Sequence, residues 1–348
     1  MTDAPSVRTD SESCCGLRGL TDALWRVHKH DDTAVLGMVI ATEGSTYRKR
    51  DALVLLDRAG LRHGVISGGC LEPALEEAAR AVLEGGRAAV TEFDTRSDED
   101  VLFGSGIGCR GRVRLLLLPL PPRAPLARAL FGVVEHGAAL DLALCVEGAD
   151  MGMGRAGFVG NPTPHSDFIW DASGRDESRR DDALALAHRL RIAPPPQVLL
   201  LGAGPETAPF AVFARRLGWF VNVVEHRGRW AAFARAATID ELIDLAPEAS
   251  AARLVSERTD AVILMSHNYA IDLTHLRACA LSAIGYIGLL GPGARRDALL
   301  AELGDDLAAK LLPRLHAPVG LDLGGHGGEA VALAVAAELQ QYFSARRA

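Results

Sequence analysis

The segment Val198-Leu-Leu-Leu-Gly202-Ala-Gly204 sets the tightest limit on what this chain folds into. Four apolar residues run directly into a glycine turn, and a helical pattern follows through Phe213 and Leu217. Glu225 then closes the next apolar run, at roughly the 20-residue distance of the dinucleotide-binding fingerprint. In that fingerprint the glycines let the backbone approach a pyrophosphate, the helix N-terminus supplies N–H donors, and the acid accepts from a ribose hydroxyl. Val198–Leu201, Phe220–Glu225, Ala261–Ser266 and Tyr286–Leu290 are short apolar strands with helix-compatible stretches between them. That alternation predicts βαβ units and a parallel, Rossmann-like sheet. The match is incomplete. Thr207 stands where a third glycine or alanine belongs, and its bulk is expected to spoil close helix–strand packing. Pro209 lacks a backbone donor and predicts a helix that begins later or bends. Two alternatives stay open: an NAD(P) site, the less favoured, and a fold that keeps the topology for another phosphate-bearing ligand or none.

Ligands of such sheets sit beyond the carboxyl ends of the strands. The candidates there are Gly202 and Gly204, Glu225 with His226, Arg227 and Arg229, and Ser266-His267-Asn268. Gly291-Pro-Gly293-Ala-Arg295-Arg296 opens a further helix as a candidate anion site.

Upstream, the chain reads as a separate mixed α/β domain. Pro194-Pro-Pro196 divides the two, since proline runs are extended connectors. The expected organisation is a loose polar tail over 1–13, an N-terminal domain over 14–192 and the Rossmann-like domain over 193–348. Thr33–Ala41, Ala52–Asp57, Gly111–Leu118 and Leu140–Val146 predict strands. Apolar residues from Leu71 to Leu83 recur at helical spacing, with Glu72, Glu76, Glu77 and Arg80 on the other face and Gly85-Gly86 as the stop. Asp181–Leu190 is read as a helix. An apolar fraction of 49% allows a sizeable core, and a formal charge of −7 argues against nucleic acid as a partner. No run reaches the length of a membrane span and residues 1–13 lack a signal-peptide core, so no stable membrane insertion and a cytoplasmic location are expected.

Six cysteines are present without a CxxC pair, which argues for free thiols over a structural zinc site. Cys145 and Cys279 fall within a predicted strand and a predicted helix and read as core. Ser67-Gly68-Gly69-Cys70 places a thiol at the mouth of the long amphipathic helix, where a helix dipole favours thiolate. The two glycines admit a bulky ligand against the backbone. Gly104-Ser-Gly106-Ile-Gly108-Cys109-Arg110-Gly111 is a second glycine-rich loop carrying a thiol. Glu43-Gly-Ser-Thr-Tyr-Arg48-Lys49-Arg50 joins hydroxyls to basic side chains, a candidate grip for phosphate.

These segments resemble the XdhC/CoxI family of accessory proteins. Glu43-Gly-Ser-Thr-Tyr-Arg-Lys49, Ser67-Gly-Gly-Cys-Leu-Glu72 and Gly106-Ile-Gly-Cys109 look like its N-terminal domain. Gly202-Ala-Gly204, Val223-Val-Glu-His-Arg227, Met265-Ser-His267, Tyr286-Ile-Gly-Leu-Leu-Gly-Pro292 and His316-Ala-Pro-Val-Gly-Leu-Asp322 look like its Rossmann domain. The chain departs from the family pattern at Tyr47, Arg110, Pro205 and Gly324–Gly328. The resemblance implies a factor that binds a molybdopterin-type molybdenum cofactor, protects it, and supports its sulfuration and insertion into a molybdenum hydroxylase client of the xanthine or carbon monoxide dehydrogenase type. It makes Cys70 and Cys109 candidate contacts to molybdenum, with Ser67, Gly68, Gly69, Arg48, Lys49, Gly202, Gly204, Glu225, His267, Gly291 and Arg295 in the cofactor's surroundings. A cysteine desulfurase is a further expected partner, and a homodimer an expected state. An NAD(P)-dependent oxidoreductase with His267 as proton donor, and a persulfide-carrying sulfur transferase, are the rival readings.

Overall fold

A computed structural model describes residues 14–95, 111–148, 150–159, 167–170, 187–256 and 258–346. The chain divides into two units, one of residues 15–194 and one of residues 195–348 together with Cys14. The first begins with helix α1 (Gly16–His28), followed by β1 (Ala34–Gly44), β2 (Leu53–Asp57), β3 (Gly60–His63), α2 (Glu72–Gly85), β4 (Ala89–Asp94) and β5 (Gly111–Leu120). Helix α3 (Pro125–His136) leads to β6 (Leu140–Leu144), β7 (Gly154–Phe158), β8 (Asp167–Trp170) and β9 (His188–Ile192). Strands β1 to β5 form one antiparallel sheet in the order β3-β2-β1-β5-β4, and β6 to β9 a second in the order β8-β7-β6-β9.

The apolar run Leu115–Leu118 follows from burial on both faces of β5. Leu115 and Leu117 join Val35, Val39 and Leu56 in a core closed by Leu75, Ala79 and Val82 of α2. Leu116 and Leu118 point the opposite way with Leu36 and Met38, and pack with α1, α3 and the second sheet. The helix expected over Asp181–Leu190 is corrected where the chain is described. His188–Leu190 belong to β9, which pairs antiparallel with β6, and their alternating burial is the two-residue period of a strand; residues 181–186 lie outside the described set.

In the second unit β10 (Gln197–Leu201), α4 (Thr207–Arg216), β11 (Phe220–Val224), α5 (Gly228–Arg235), β12 (Glu241–Ile243), α6 (Pro247–Ser256), β13 (Ala261–Leu264), α7 (Tyr269–Leu281) and β14 (Ile287–Leu289) alternate. Helices α8 (Gly293–Leu303) and α9 (Asp305–Leu311), strand β15 (Leu315–His316) and α10 (Gly328–Ala345) complete it. The sheet is wholly parallel, in the order β12-β11-β10-β13-β14-β15. Its first strand is therefore central, which is the doubly wound Rossmann arrangement with its crevice between the ends of β10 and β13. Val198 and Leu200 face α4 and α10, while Leu199 and Leu201 face α6, α7 and α8. Among the described residues no helix is long and apolar enough to cross a membrane. Cys145 and Cys279 are buried, and burial pushes the Cys279 thiol up to about 12.

Leu116 is fully buried in tightly packed hydrocarbon. Leu116→Ala is expected to cost about 2–5 kcal/mol of stability, from lost transfer energy and the cavity left behind. Urea unfolding followed by far-UV circular dichroism measures it, and a loss below ~1 kcal/mol would contradict this packing.

Candidate functional site

Each unit builds a glycine turn at the mouth of a helix, and the two differ in how the turn's backbone donors are used. In the first unit the turn before α2 wraps around the Glu72 carboxylate. Glu72 Oε1 accepts from the N–H of Ile66 at 3.1 Å and of Ser67 at 2.9 Å, and Oε2 accepts from the Ser67 hydroxyl. The Ser67 oxygen in turn accepts from the N–H of Gly69 at 3.2 Å and of Leu71 at 3.0 Å. Burial alone would raise the Glu72 pKa. The Ser67 hydroxyl and the backbone donors outweigh that and hold it below its ordinary value. The turn is thus closed by its own side chains, with Cys70 exposed at its outer edge. A methyl group built onto Gly68 or Gly69 would meet nothing within 4 Å, so the backbone on either side of the turn stands open.

Cys70 lines a hollow of about 370 Å³, counting its open mouth, with Ser45, Thr46, Ser67, Gly68 and Thr95 among its walls. Thr95 and Gly111 both border it, and they flank the segment that carries Cys109. Cys109 and the loop residues 104–110 lie outside the described residues. Arg48 and Lys49 are exposed and do not line the hollow; Arg48 Nε donates to the Val65 carbonyl at 3.0 Å, beside the turn. The segment that carries them is held by His188, whose Nε2 meets Asp51 Oδ1 at 2.9 Å and whose Nδ1 meets Arg50 Nη2 at 3.1 Å. Because a guanidinium only donates, Nδ1 is the acceptor and Nε2–H the donor. Neither Glu72 nor His188 stood out in the sequence. An acid five residues after a loop serine is a usable signal for the first; the second is visible only through strand pairing.

In the second unit Gly202 is required by its surroundings. Its φ is +106°, and an added Cβ would lie 2.5 Å from the Ser266 Cα. The rest of the turn departs from a phosphate cradle. The Gly204 N–H donates to the Thr207 hydroxyl at 2.9 Å, and Thr207 is fully buried. Thr207 therefore fits beneath the turn and does not spoil the packing. Helix α4 starts at Thr207, with Pro209 at its third position, where the backbone nitrogen has no intrahelical acceptor to meet. The expectation of a late or bent start is thereby corrected. Glu206 places a carboxylate over Gly204, and His267 Nε2 lies 3.3 Å from its Oε1. Mainly through this carboxylate, and against burial, the His267 pKa is raised. Its ring also stacks on Trp230 at 5.6 Å.

Glu225 is almost wholly buried and already paired. Oε1 accepts from the Arg227 N–H and Nε, both at 2.8 Å, and Oε2 from Arg227 Nη2 at 2.5 Å. Burial pushes its pKa upward, and Arg227 overrides that to hold it below its usual value. At the next strand end, Arg295 Nη2 donates to the buried Asp272 at 2.6 Å, and Arg296 Nη1 to the Ala317 carbonyl at 2.9 Å. Gly291 sits against the Arg295 side chain. Both guanidiniums thus have acceptors within the fold. A dinucleotide needs the turn's donors for its pyrophosphate and a free acid for its ribose. Here one donor is taken by Thr207, a second carboxylate overhangs the turn, and Arg227 holds the acid, so these residues do not fit NAD(P). Among the described residues no group of three or more His, Cys, Asp or Glu side chains is placed to hold a metal ion.

Comparison with known proteins agrees with this architecture. A Bacillus subtilis protein described as a probable component of xanthine dehydrogenase is 29% identical over 322 residues, covering 89% of this chain and 93% of that protein. A solved structure described as a xanthine dehydrogenase from Bacillus halodurans shares the fold, with a TM-score of 0.77 at 24% identity over 95% of this chain and 96% of that one. The model of the XdhC and CoxI family matches residues 27–94, which hold the Cys70 turn, and the XdhC Rossmann domain matches 198–339. With both segments present in order along one polypeptide, the chain belongs to the XdhC/CoxI family.

Proposed function

We propose that this chain is an accessory factor in the maturation of a molybdenum hydroxylase, carrying a molybdopterin-type cofactor as its cargo and passing it to the client enzyme. The observation that carries the reading is the exposed Cys70 thiol at the rim of a mainly apolar hollow, on a turn where a side chain at Gly68 or Gly69 would meet nothing. Family membership supports the accessory role, and the Bacillus subtilis relative named for xanthine dehydrogenase supports the class of client. A soft sulfur donor suits molybdenum or a transferable sulfur. The Thr46 and Thr95 hydroxyls already donate within the fold, to the Arg48 carbonyl at 2.8 Å and the Gly111 carbonyl at 2.9 Å, so toward a cargo they can only accept. Arg48 and Lys49, at the flank of the hollow, supply positive charge for its phosphate. Cys109 belongs to the same proposal as a second thiol, and a cysteine desulfurase as the source of sulfur. In this reading the residues of the turn bind and orient, and the client performs the redox chemistry.

The test is to produce the chain in cells with an intact pterin pathway and to measure molybdenum and phosphorus in the purified protein. Near-stoichiometric amounts of both are expected, with Cys70→Ala retaining roughly a tenth or less, the loss of one strong contact. Cargo retention by Cys70→Ala equal to that of the wild type would remove the thiol from the proposal, and absence of both elements would remove the cargo. A second prediction concerns the turn itself. The Glu72 pKa is depressed on folding, so its contribution is fully present above the ordinary value of 4.5 and is lost as pH falls through the lower folded value. Hydrogen-exchange protection of the Ser67, Gly69 and Leu71 amides, corrected for intrinsic exchange, should hold steady from neutral pH down past 4.5. Early loss of protection near that value would show that the carboxylate does not organise the turn.

A further inference from the structure

Arg48, Lys49 and Arg50 are consecutive in the sequence, and the fold treats the third differently from the other two. Arg50 belongs to a closed ring of three side chains. Its Nη2 meets His188 Nδ1 at 3.1 Å, His188 Nε2 meets Asp51 Oδ1 at 2.9 Å, and Arg50 Nε lies 3.7 Å from that same oxygen. His188 is 7% exposed and sits on β9, opposite Leu144 of β6, in the second sheet. Residues 45–51 instead connect β1 to β2 of the first sheet. The backbone where they join is strained. Asp51 has a φ of +71°, which a non-glycine residue keeps only where its surroundings fix it. Its N–H donates to the Val39 carbonyl at 2.8 Å, and the Ala52 N–H to the Lys49 carbonyl at 3.3 Å. The ring needs an acceptor facing Arg50 and a donor facing Asp51, and the neutral imidazole supplies both.

We infer that His188 is a positioning residue for the 45–51 loop: by tying Arg50 and Asp51 to the second sheet it sets aside Arg50 and leaves Arg48 and Lys49 as the cations that meet an anionic ligand. Within the ring the Arg50 charge is opposed by Asp51, so little of it remains for a phosphate. Arg48 and Lys49 are exposed, and the bond from Arg48 Nε to the Val65 carbonyl keeps that guanidinium beside the Cys70 turn. The same loop supplies Ser45 and Thr46 to the walls of the Cys70 hollow, and the Ser45 carbonyl packs against Gly111 with no room for a Cβ there. A loop released from His188 therefore moves the charge and the wall together. The bearing of this loop on cargo rests on the accessory-factor reading; its attachment to His188 does not.

Hydrogen exchange of the full chain, read by mass spectrometry on peptides spanning residues 45–52, tests the attachment. His188→Leu should speed exchange there roughly tenfold, the loss of one good polar contact, with the far-UV circular dichroism unchanged. His188→Gln should stay near the wild type, because its amide oxygen accepts from Arg50 and its amide N–H donates to Asp51. A residue that only packs would rank these two the other way, since leucine suits a buried site and an unmatched amide does not. Arg50→Ala should exchange as fast as His188→Leu, whereas Lys49→Ala should not speed exchange. If His188→Leu does not fold, Asp51→Ala against Asp51→Asn makes the same comparison, as asparagine keeps the acceptor and tolerates a positive φ. The molybdenum and phosphorus content of chain made in cells with an intact pterin pathway gives the second readout. His188→Leu and Lys49→Ala should each lower both elements roughly threefold, and His188→Gln should not. Equal exchange in His188→Leu and His188→Gln, or exchange in Lys49→Ala as fast as in Arg50→Ala, overturns the inference. Wild-type chain free of both elements overturns the accessory-factor reading instead, and exchange then decides the attachment without it.

Discussion

Backbone N–H groups in a tight turn have to meet acceptors, and in both units of this chain the acceptors are side chains a few residues away. Glu72 and Ser67 together accept from four amides between Ile66 and Leu71. Thr207 accepts from Gly204. A turn whose amides meet side-chain acceptors in this way is supported in its shape without a ligand. The consequence for function is direct. What each turn offers to a partner is only what its own side chains leave over: a thiol and open glycine backbone in the first unit, and a carboxylate above a closed turn in the second.

The same economy of donors separates the Rossmann unit from the nucleotide-binding proteins whose sheet order it shares. Topology brings Gly202, Glu225 and Ser266 to one end of the sheet, as the strand order demands. It does not decide whether the charges there attract or repel a phosphate. Glu206 and Thr207 decide that, and both lie in the first turn after the fingerprint. The helix that follows is undisturbed, since its first amides have no intrahelical acceptor and Pro209 removes none that the fold uses. Gly328 adds a further constraint. A Cβ there would lie 2.9 Å from the Pro205 carbonyl group, so the start of α10 closes against the turn at a distance only glycine allows. The turn is packed from both sides and has little room to reshape around a pyrophosphate.

These features explain which parts of the molecule were legible in the sequence. The parallel sheet was, because strands buried on both faces are continuous apolar runs, and Val198–Leu201 and Ala261–Leu264 are almost nothing else. The α2 helix was, because one face is apolar and the other acidic. The three-residue β12 and the two-residue β15 were not, since edge strands of that length leave no periodicity to read. His188–Leu190, the end of the stretch read as a helix, was misread because a run this short with one charged residue between two others fits a helical window as well as a strand. At the sites, Cys70, Glu225 and His267 could be named from motif context, but their partners could not. Arg227 folds back onto Glu225 from two residues away, and Glu206 reaches His267 across 61 positions.

The pairing of Glu225 with Arg227 shows why the acid of a fingerprint is weak ground for assigning a ligand. A carboxylate at the end of the second strand of such a sheet is buried by the fold whether or not a ribose is present, and burial of an unpaired charge is costly. A dinucleotide-binding protein leaves that acid to be satisfied by ligand and water. Here it is satisfied in advance by three donors of one arginine, and that arginine lies against Trp230, which stacks on His267. The rim of the crevice is therefore a connected set of charged and aromatic side chains running from Glu225 to Glu206. A ligand entering here gains little from the acid itself.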